Sequence, residues 1–229
     1  MSNNKTLITV SGNLLLNVKM SSETKIEEGI LANYSISSLQ NELKTEAAKN
    51  TFWINIYNAY FQIVSRQEEN LGKKIFTLKL IEIAGNRFSL DDIEHGILRR
   101  FRWKYSFGYL SNIFQSRFIK NLAVEKIDYR IHFAVNCGAK SCPPIAFYTV
   151  EKLDEQLKTA MISFLTSEST IDKEKKTVTT SKLLLWYQGD FGGKSDLKKM
   201  LKEVLEIQMK YFKIKYSDYS WESHLENFS

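Results

Sequence analysis

The sequence has few of the residues on which specialised folds depend. Its 229 residues include two prolines, two cysteines and three histidines. So few prolines argue against Pro-rich linkers and low-complexity tracts. Two cysteines are too few for a disulfide framework, although their C-x4-C spacing permits one local bridge. No apolar run approaches the roughly 18 residues that cross a bilayer, and the first segment is too polar for a signal-peptide core.

The charge composition is mildly basic. Lys and Arg number 32 and Asp and Glu 26, which gives a net charge of +6, and the cations are spread along the chain. Nucleic-acid binding normally needs a basic patch or stripe, so we expect no nucleic-acid partner. The lack of a long apolar run predicts that no segment spans a membrane. The chain as given is typical of a cytoplasmic protein, whereas a chain from which a signal peptide has already been cleaved would belong to an exported protein. The sequence fixes neither the compartment nor the oligomeric state.

The hydrophobic pattern predicts a helix-dominated α+β fold. Hydrophobic residues make up 43% of the chain, which is ample for a core. Helical spacing and capping residues predict helices at 6–20, 36–49, 52–64, 89–100, 149–165, 181–187 and 195–210. Strands are predicted at 131–135, in a hairpin over 170–180, and at 211–216. We therefore expect a single domain over residues 1–229, with a small sheet that includes 131–135.

The segment 131–144 is the strongest candidate for a site. It holds both cysteines, both prolines and His132. A strand-like run ends there in small and polar residues. Loops that a rigid element holds in place often carry binding or catalytic residues. Cys137 is a candidate nucleophile, with Asn136 and the backbone N–H groups of 137–139, Gly138 among them, as oxyanion donors. The alternative is that Cys137 is a small buried apolar residue.

A second group of candidates comes from two predicted helices. His95, preceded by Glu94, is a candidate general base for Cys137 on the 89–100 helix. Asn58 or Asn55, on the apolar 52–64 helix, or Glu94 would orient the imidazole. The alternatives are structural: His95 as a satisfied core histidine, and the asparagines as anchors for a loop backbone.

Three further features have structural alternatives. His132 is either part of a substrate site or a hydrogen-bonded structural residue. Together with His95, Cys137 and Cys142, His132 would complete a set of four zinc ligands, but the C-x4-C spacing of the cysteines departs from the usual C-x2-C. We therefore expect no metal and no cofactor. The aromatic turn at 186–193 either lines a pocket or closes the core.

Several motifs together resemble a family catalogued as the domain of unknown function 547. They are 52–59, 93–99, 129–138, 141–144, 185–187 and 190–192. The resemblance covers a core of about 50–195, with helical extensions on both sides. It implies that the Glu94–His95 pair and Cys137 recur among members. This favours a Cys–His site over zinc and argues against a required 137–142 disulfide. Members include exported bacterial proteins and plant proteins, so the resemblance leaves the compartment open.

Two functions follow from these observations. The first is a thiol-dependent hydrolase or acyltransferase, with Cys137 as nucleophile and His95 as base, acting on an amide, ester or thioester in a small molecule or peptide. Such a site would be papain-like by convergence or permutation, since its chain order differs. The second is a non-catalytic binding or scaffold module in which the same motifs build a structural polar core.

Overall fold

The fold is organised around one long helix, α4 (Glu46–Gln67), in which residues 50–64 are all buried. The structure is a computed structural model and describes residues 6–67 and 71–228; the rest of the predicted 1–229 domain lies outside these ranges. A helix that is apolar on all sides belongs in a core, so the prediction of a buried helix over 52–64 is confirmed. Helix α1 (Leu7–Lys19) packs along α4.

Helices predominate in the described part of the chain. After α1, the α-helices are α2 (Lys25–Ala32), α3 (Ile36–Glu42), α4, α5 (Arg117–Leu122), α6 (Leu153–Glu168), α7 (Leu183–Trp186) and α8 (Lys194–Val204). Short 3-10 helices span Gly72–Phe76 and Tyr129–Phe133, and a π-helix spans Asp92–Leu98. None of the helices within residues 6–67 and 71–228 has the length and apolarity that a bilayer crossing needs.

Two small sheets complete the fold. Strands β1 (Ile81–Ile83) and β2 (Asn86–Phe88) form an antiparallel hairpin. Strands β3 (Thr170–Asp172) and β4 (Thr177–Thr180) are antiparallel, and β5 (Lys213–Tyr216) adds to β4 in parallel, with Val178 opposite Ile214. The hairpin over 170–180 and the strand in 211–216 are thus confirmed, and so is the helix-dominated α+β class.

The predicted strand at 131–135 is wrong. Residues 131–133 end the 3-10 helix Tyr129–Phe133, in which the Asp128 carboxylate accepts from the backbone N–H of Arg130 at 3.0 Å, and residues 134–135 follow it outside any strand. The Ile131 N–H then bonds the Asp128 carbonyl at 3.1 Å. A short apolar run is buried in either conformation, so periodicity alone does not distinguish them. Neither sheet contains this segment.

Several predicted helices have different bounds or geometry. The helix predicted at 149–165 is α6, which begins four residues later, at Leu153, and ends at Glu168. The helix at 36–49 is divided, because the Thr45 hydroxyl accepts from the Ala48 N–H at 3.1 Å and starts α4. The helix predicted at 195–210 ends at Val204, and Glu206 has a φ of 50°. The 89–100 segment contains the π-helix.

The core has two parts that meet at the 3-10 helix Tyr129–Phe133. Ile131 belongs to the cluster around α1 and α4. Phe133 belongs to the cluster formed by α6, α8 and the three-stranded sheet. His132 lies between them and is buried. The junction of the two clusters therefore places a titratable side chain at the centre of the molecule.

Candidate functional site

A cleft of about 1050 Å³ lies beside this junction. Its walls come from α4, the 72–77 segment, the π-helix, the 137–142 loop and the C-terminal 219–225 segment. Glu94, His95, His132, Cys137 and Gly138 all line it. Residues that are distant in the sequence are thus brought to one opening, which makes this cleft the candidate site.

The π-helix Asp92–Leu98 positions the Glu94–His95 pair. Ser89 and Asp92 exchange side chain–backbone hydrogen bonds at 3.0 Å each, which fixes the start of the helix. Near its end, the Arg99 N–H reaches back five residues to the Glu94 carbonyl at 2.8 Å. The wide turn directs Glu94 towards the core and His95 towards the cleft. Helical π segments are frequent at functional sites.

Glu94 is a buried acceptor. Its carboxylate accepts from the hydroxyls of Tyr57 at 3.1 Å and Tyr187 at 2.7 Å. Burial by itself would raise the pKa of Glu94, but the neighbouring His95 and Arg99 and the Tyr187 hydrogen bond together lower it. Burial and this carboxylate raise the pKa of both tyrosines well above 10. Glu94 is therefore ionised at neutral pH, and both phenols keep their protons.

His95 is a neutral donor that faces the cleft. Its Nδ1 lies 2.8 Å from Arg99 Nη1, and because a guanidinium has donors only, Nδ1 accepts. Burial, reinforced by Arg99 and opposed by Glu94, lowers the pKa of His95. The proton of the neutral ring is thus assigned to Nε2. That atom is 3.6 Å from Asp91 Oδ1, which is too far for a hydrogen bond.

Arg99, Asp190 and His132 form a buried charged network behind His95. Asp190 Oδ2 accepts from Arg99 Nε at 2.6 Å and from His132 Nε2 at 2.9 Å, and all three side chains are 0% exposed. The rings of Tyr187 and His132 stack with their centroids 3.8 Å apart. The Arg99 guanidinium carbon lies 4.5 Å from the centroid of the Tyr187 ring. The network therefore joins the π-helix, the 3-10 helix and the 187–190 turn.

The network sets the protonation of its members. Burial lowers the pKa of His132 although Asp190 opposes this effect. Burial would raise the pKa of Asp190, but the His132 hydrogen bond and the nearby charges lower it overall. His132 is therefore neutral, donates through Nε2, and leaves Nδ1 without a hydrogen-bond partner among the described residues.

The two cysteines are joined in a disulfide. The Tyr219 hydroxyl lies 3.4 Å from Cys137 Sγ and 3.1 Å from Cys142 Sγ. No histidine nitrogen of the described chain lies within hydrogen-bonding distance of either sulfur. The local bridge permitted by the C-x4-C spacing is thus present. In this oxidised state Cys137 has no free thiol. The side chains of the zinc alternative have other partners: the two cysteines bond each other, His95 contacts Arg99, and His132 contacts Asp190.

The asparagines of α4 hold backbone. Asn58 donates to the Ala134 carbonyl at 2.9 Å and accepts from the Asn136 N–H at 2.9 Å. Asn55 makes the same pair of bonds to the backbone of Tyr148, at 3.0 and 3.2 Å. Neither amide contacts an imidazole in the described structure. Their observed contacts are those of the structural alternative.

Three of the predicted oxyanion donors, the Asn136 side chain and the backbone N–H groups of Cys137 and Gly138, are occupied by local bonds. The Asn136 amide donates to the Pro143 carbonyl at 2.6 Å, and its Oδ1 accepts from the Gly138 N–H at 2.7 Å. The Cys137 N–H lies 3.1 Å from Cys142 Sγ. Gly138 has a φ of 71°, and a Cβ there would lie 2.4 Å from Phe61. This loop is therefore rigid and internally bonded.

The C-terminal segment covers the disulfide loop. The His224 N–H bonds the Gly138 carbonyl, and the Lys140 N–H bonds the Glu222 carbonyl, both at 2.8 Å. The rings of Trp186, Tyr219 and Trp221 contact one another with centroids 4.7–5.7 Å apart. This aromatic wall, defined by these three residues, forms one side of the cleft.

Sequence reasoning missed several members of the site. Tyr57 lies in the 52–64 helix, which the sequence indicates only as apolar, and Arg99 lies in the 89–100 helix without a predicted role. The spacing of four residues from His95 to Arg99 is the signal that was available for their contact. Asp190 and Tyr187 lay in the aromatic turn at 186–193, for which lining a pocket was one of two interpretations. No local signal indicated Tyr219.

The comparisons with known proteins identify a family. The chain matches the family described as "Protein of unknown function, DUF547" over residues 40–165, more than half of its length, and so belongs to that family. No curated protein and no solved structure matches the chain. The matched residues end before Tyr187, Asp190 and Tyr219. Part of the network and of the cleft therefore lies outside the residues that define the family.

Proposed function

We propose that this chain is a ligand-binding domain whose cleft takes a small molecule or peptide that presents a carbonyl or carboxylate oxygen. The observation that carries the proposal is the neutral His95, which lines the cleft and whose Nε2–H has no hydrogen-bond acceptor in range within residues 6–67 and 71–228. Its side chain is 15% exposed, which is enough for a ligand to reach it.

The surroundings of His95 favour an oxygen acceptor next to an apolar group. Lys104, bonded to Asp91 at 2.6 Å, adds a cation at the same edge of the cleft. Tyr105 and the aromatic wall provide flat apolar surfaces. Pockets that combine apolar walls with a few directed polar groups are typical of ligand sites.

The same geometry argues against His95 as a general base. The lone pair of its Nδ1 points at Arg99, a permanent donor, and its Nε2 already carries the proton. Accepting a proton would place a cationic imidazole against a guanidinium in a buried site, which is costly. A donor role needs no rearrangement of these groups.

A histidine variant tests the proposal. In His95→Asn the amide oxygen can replace Nδ1 as the acceptor for Arg99, while the donor at the Nε2 position is lost. The probes are a panel of N-acylated amino acids and dipeptides, with binding followed by tryptophan fluorescence and by the NMR signals of the His95 ring. At about 0.3 kcal/mol per atom, a probe of about 15 non-hydrogen atoms should bind with a Kd near the millimolar range.

The expected result is binding by the unaltered chain and at least a fivefold weaker affinity in His95→Asn, from the loss of about one hydrogen bond. The matched control is His224→Gln, since His224 is an exposed histidine outside the network. Equal affinity in His95→Asn, or no binding anywhere in the panel, would contradict the proposal.

A thiol hydrolase or acyltransferase is the second candidate, favoured by the fact that Cys137 and His95 line the same cleft. It requires reduction of the disulfide and release of His95 Nδ1 from Arg99. The test is hydrolysis of p-nitrophenyl acetate with and without dithiothreitol. This candidate expects activity only after reduction, lost in Cys137→Ser and retained in Cys142→Ser.

A further inference from the structure

A surface next to the cleft has an unusual composition. Residues 99–124 contain six Arg and Lys, seven aromatic residues and no Asp or Glu. The cations are spread over the whole chain, but here no acidic residue is interspersed with them. Arg99 and Arg102 lie within ion-pair distance of Asp190, and Lys104 pairs with Asp91. The local positive charge therefore comes from the other three cations.

The centre of this segment exposes large apolar side chains. We call residues 101–114 the aromatic loop. Seven of its large hydrophobic residues are between 45% and 81% exposed; they are Trp103, Tyr105, Phe107, Tyr109, Leu110, Ile113 and Phe114. Scattered apolar residues on a surface are ordinary, but a contiguous set marks an interaction site.

The aromatic loop is held in place by backbone bonds. The Trp103 N–H bonds the Leu110 carbonyl at 2.9 Å, and Arg102 pairs with Ser111 in an antiparallel bridge. A Cβ on Gly108 would lie 2.6 Å from Asp190 Oδ1, so the loop tip packs directly on the buried network. The exposed side chains are therefore displayed on an ordered support.

Cations surround the apolar side chains. Arg100 and Lys120 lie over the Phe101 ring at 5.8 and 5.6 Å. Arg117 begins α5 beside them and is exposed. Among the described residues, none of these three cations has a carboxylate within ion-pair distance. Their charge is free to meet an anionic partner.

We propose that the aromatic loop docks on an anionic lipid bilayer, with the apolar tips in the interfacial region and Arg100, Arg117 and Lys120 at the headgroups. Trp and Tyr favour that interface, and each nearby cation adds attraction to anionic lipids. Ile113 is 73% exposed and Leu110 is 63% exposed. These aliphatic side chains cannot stack on a base, which favours lipid over nucleic acid.

Sedimentation with vesicles tests the docking, using the whole chain. We expect the protein to pellet with phosphatidylcholine vesicles that contain about one-third phosphatidylglycerol, weakly with pure phosphatidylcholine, and less as salt rises. Phe114→Ser with Ile113→Ser should reduce partitioning by at least about tenfold, because two apolar side chains are lost. The matched control is Ile26→Ser, which alters a residue 67% exposed on α2.

The charge contribution has its own control. Arg100→Gln with Arg117→Gln should weaken partitioning into the anionic vesicles by roughly 25-fold, at about fivefold for each cation. Lys158→Gln, on the exposed side of α6, should leave it unchanged. Circular dichroism of each variant verifies folding, which these exposed positions should not alter.

Three outcomes would overturn the proposal. One is no sedimentation with anionic vesicles at low salt. Another is an equal loss in the Ile26→Ser and Lys158→Gln controls. The third is tight binding of a single-stranded oligonucleotide that depends on Arg100 and Arg117, by a protein that does not bind vesicles. That result would assign the surface to nucleic acid. Partitioning by His95→Asn should equal that of the unaltered chain, which separates this proposal from the one for the cleft.

Discussion

Breaking the buried pair of Arg99 and Asp190 should destabilise the fold strongly. Both side chains are 0% exposed and are 2.6 Å apart. At an effective dielectric constant of 20, two charges at that distance attract by about 6 kcal/mol, much of which offsets their desolvation. Removing one partner leaves the other charge buried without compensation. We therefore expect Arg99→Met and Asp190→Asn each to lower the free energy of unfolding by about 3–5 kcal/mol.

The double variant separates the ion pair from general disruption. The double variant removes both charges of the pair, and the Glu94 carboxylate keeps its hydrogen bonds from Tyr57 and Tyr187. The double variant should therefore cost clearly less than the sum of the single variants. Urea unfolding at neutral pH, followed by tryptophan fluorescence, measures all three. Glu222→Gln is the control, because its ion pair with Lys140 is exposed on both sides and should contribute less than about 1 kcal/mol. Single losses below 1 kcal/mol, or strict additivity, would refute the reasoning.

Three further predictions concern the same region. Because burial lowers the pKa of both His95 and His132 below 6.5 in the folded state, the unfolded chain binds more protons below that pH. The contribution of these histidines to stability should therefore be constant well above pH 6.5, begin to fall as the pH approaches 6.5, and decrease below it by up to about 1.4 kcal/mol per pH unit for each histidine. Urea unfolding at several pH values on both sides of 6.5 checks this, and a flat profile would contradict it. Asn58→Ala leaves two buried backbone groups of the 134–136 segment unpaired and should cost about 2–4 kcal/mol in urea unfolding, against a negligible change for the exposed Asn121→Ala. Cys142→Ser should cost roughly 2 kcal/mol from the entropy of the short closed loop, and dithiothreitol should have the same effect on the unaltered chain but none on this variant.

Helices with strong patterns could be predicted from the sequence, and short apolar segments could not. The 52–64 helix is apolar on every side and can only be buried. The segment 131–135 is apolar except for His132, and its first three residues continue a 3-10 helix that starts after Asp128, whose carboxylate accepts a backbone bond. The 89–100 helix was located correctly, yet nothing in its spacing distinguishes five-residue from four-residue hydrogen bonds.

The candidate site was predicted in part, for a comparable reason. Residue type and position suggested Glu94, His95, His132 and Cys137, and all four line one cleft. Their partners come from elsewhere in the chain: Arg99 is close in sequence, but Asp190 is not. Whether an imidazole donates or accepts depends on those partners, and so the chemistry of the site could not be read from the motifs. The hypothesis of a thiol-dependent hydrolase or acyltransferase stays a prediction.

The cleft walls run from α4 to the 219–225 segment, while the family match stops at residue 165. A protein trimmed to the matched residues would lack Tyr187, Asp190 and the aromatic wall. It would expose an unpaired guanidinium at Arg99 and leave the disulfide loop uncovered. For cloning or domain grafting, the smallest unit that keeps the cleft intact is accordingly longer than the residues 40–165 that match the family.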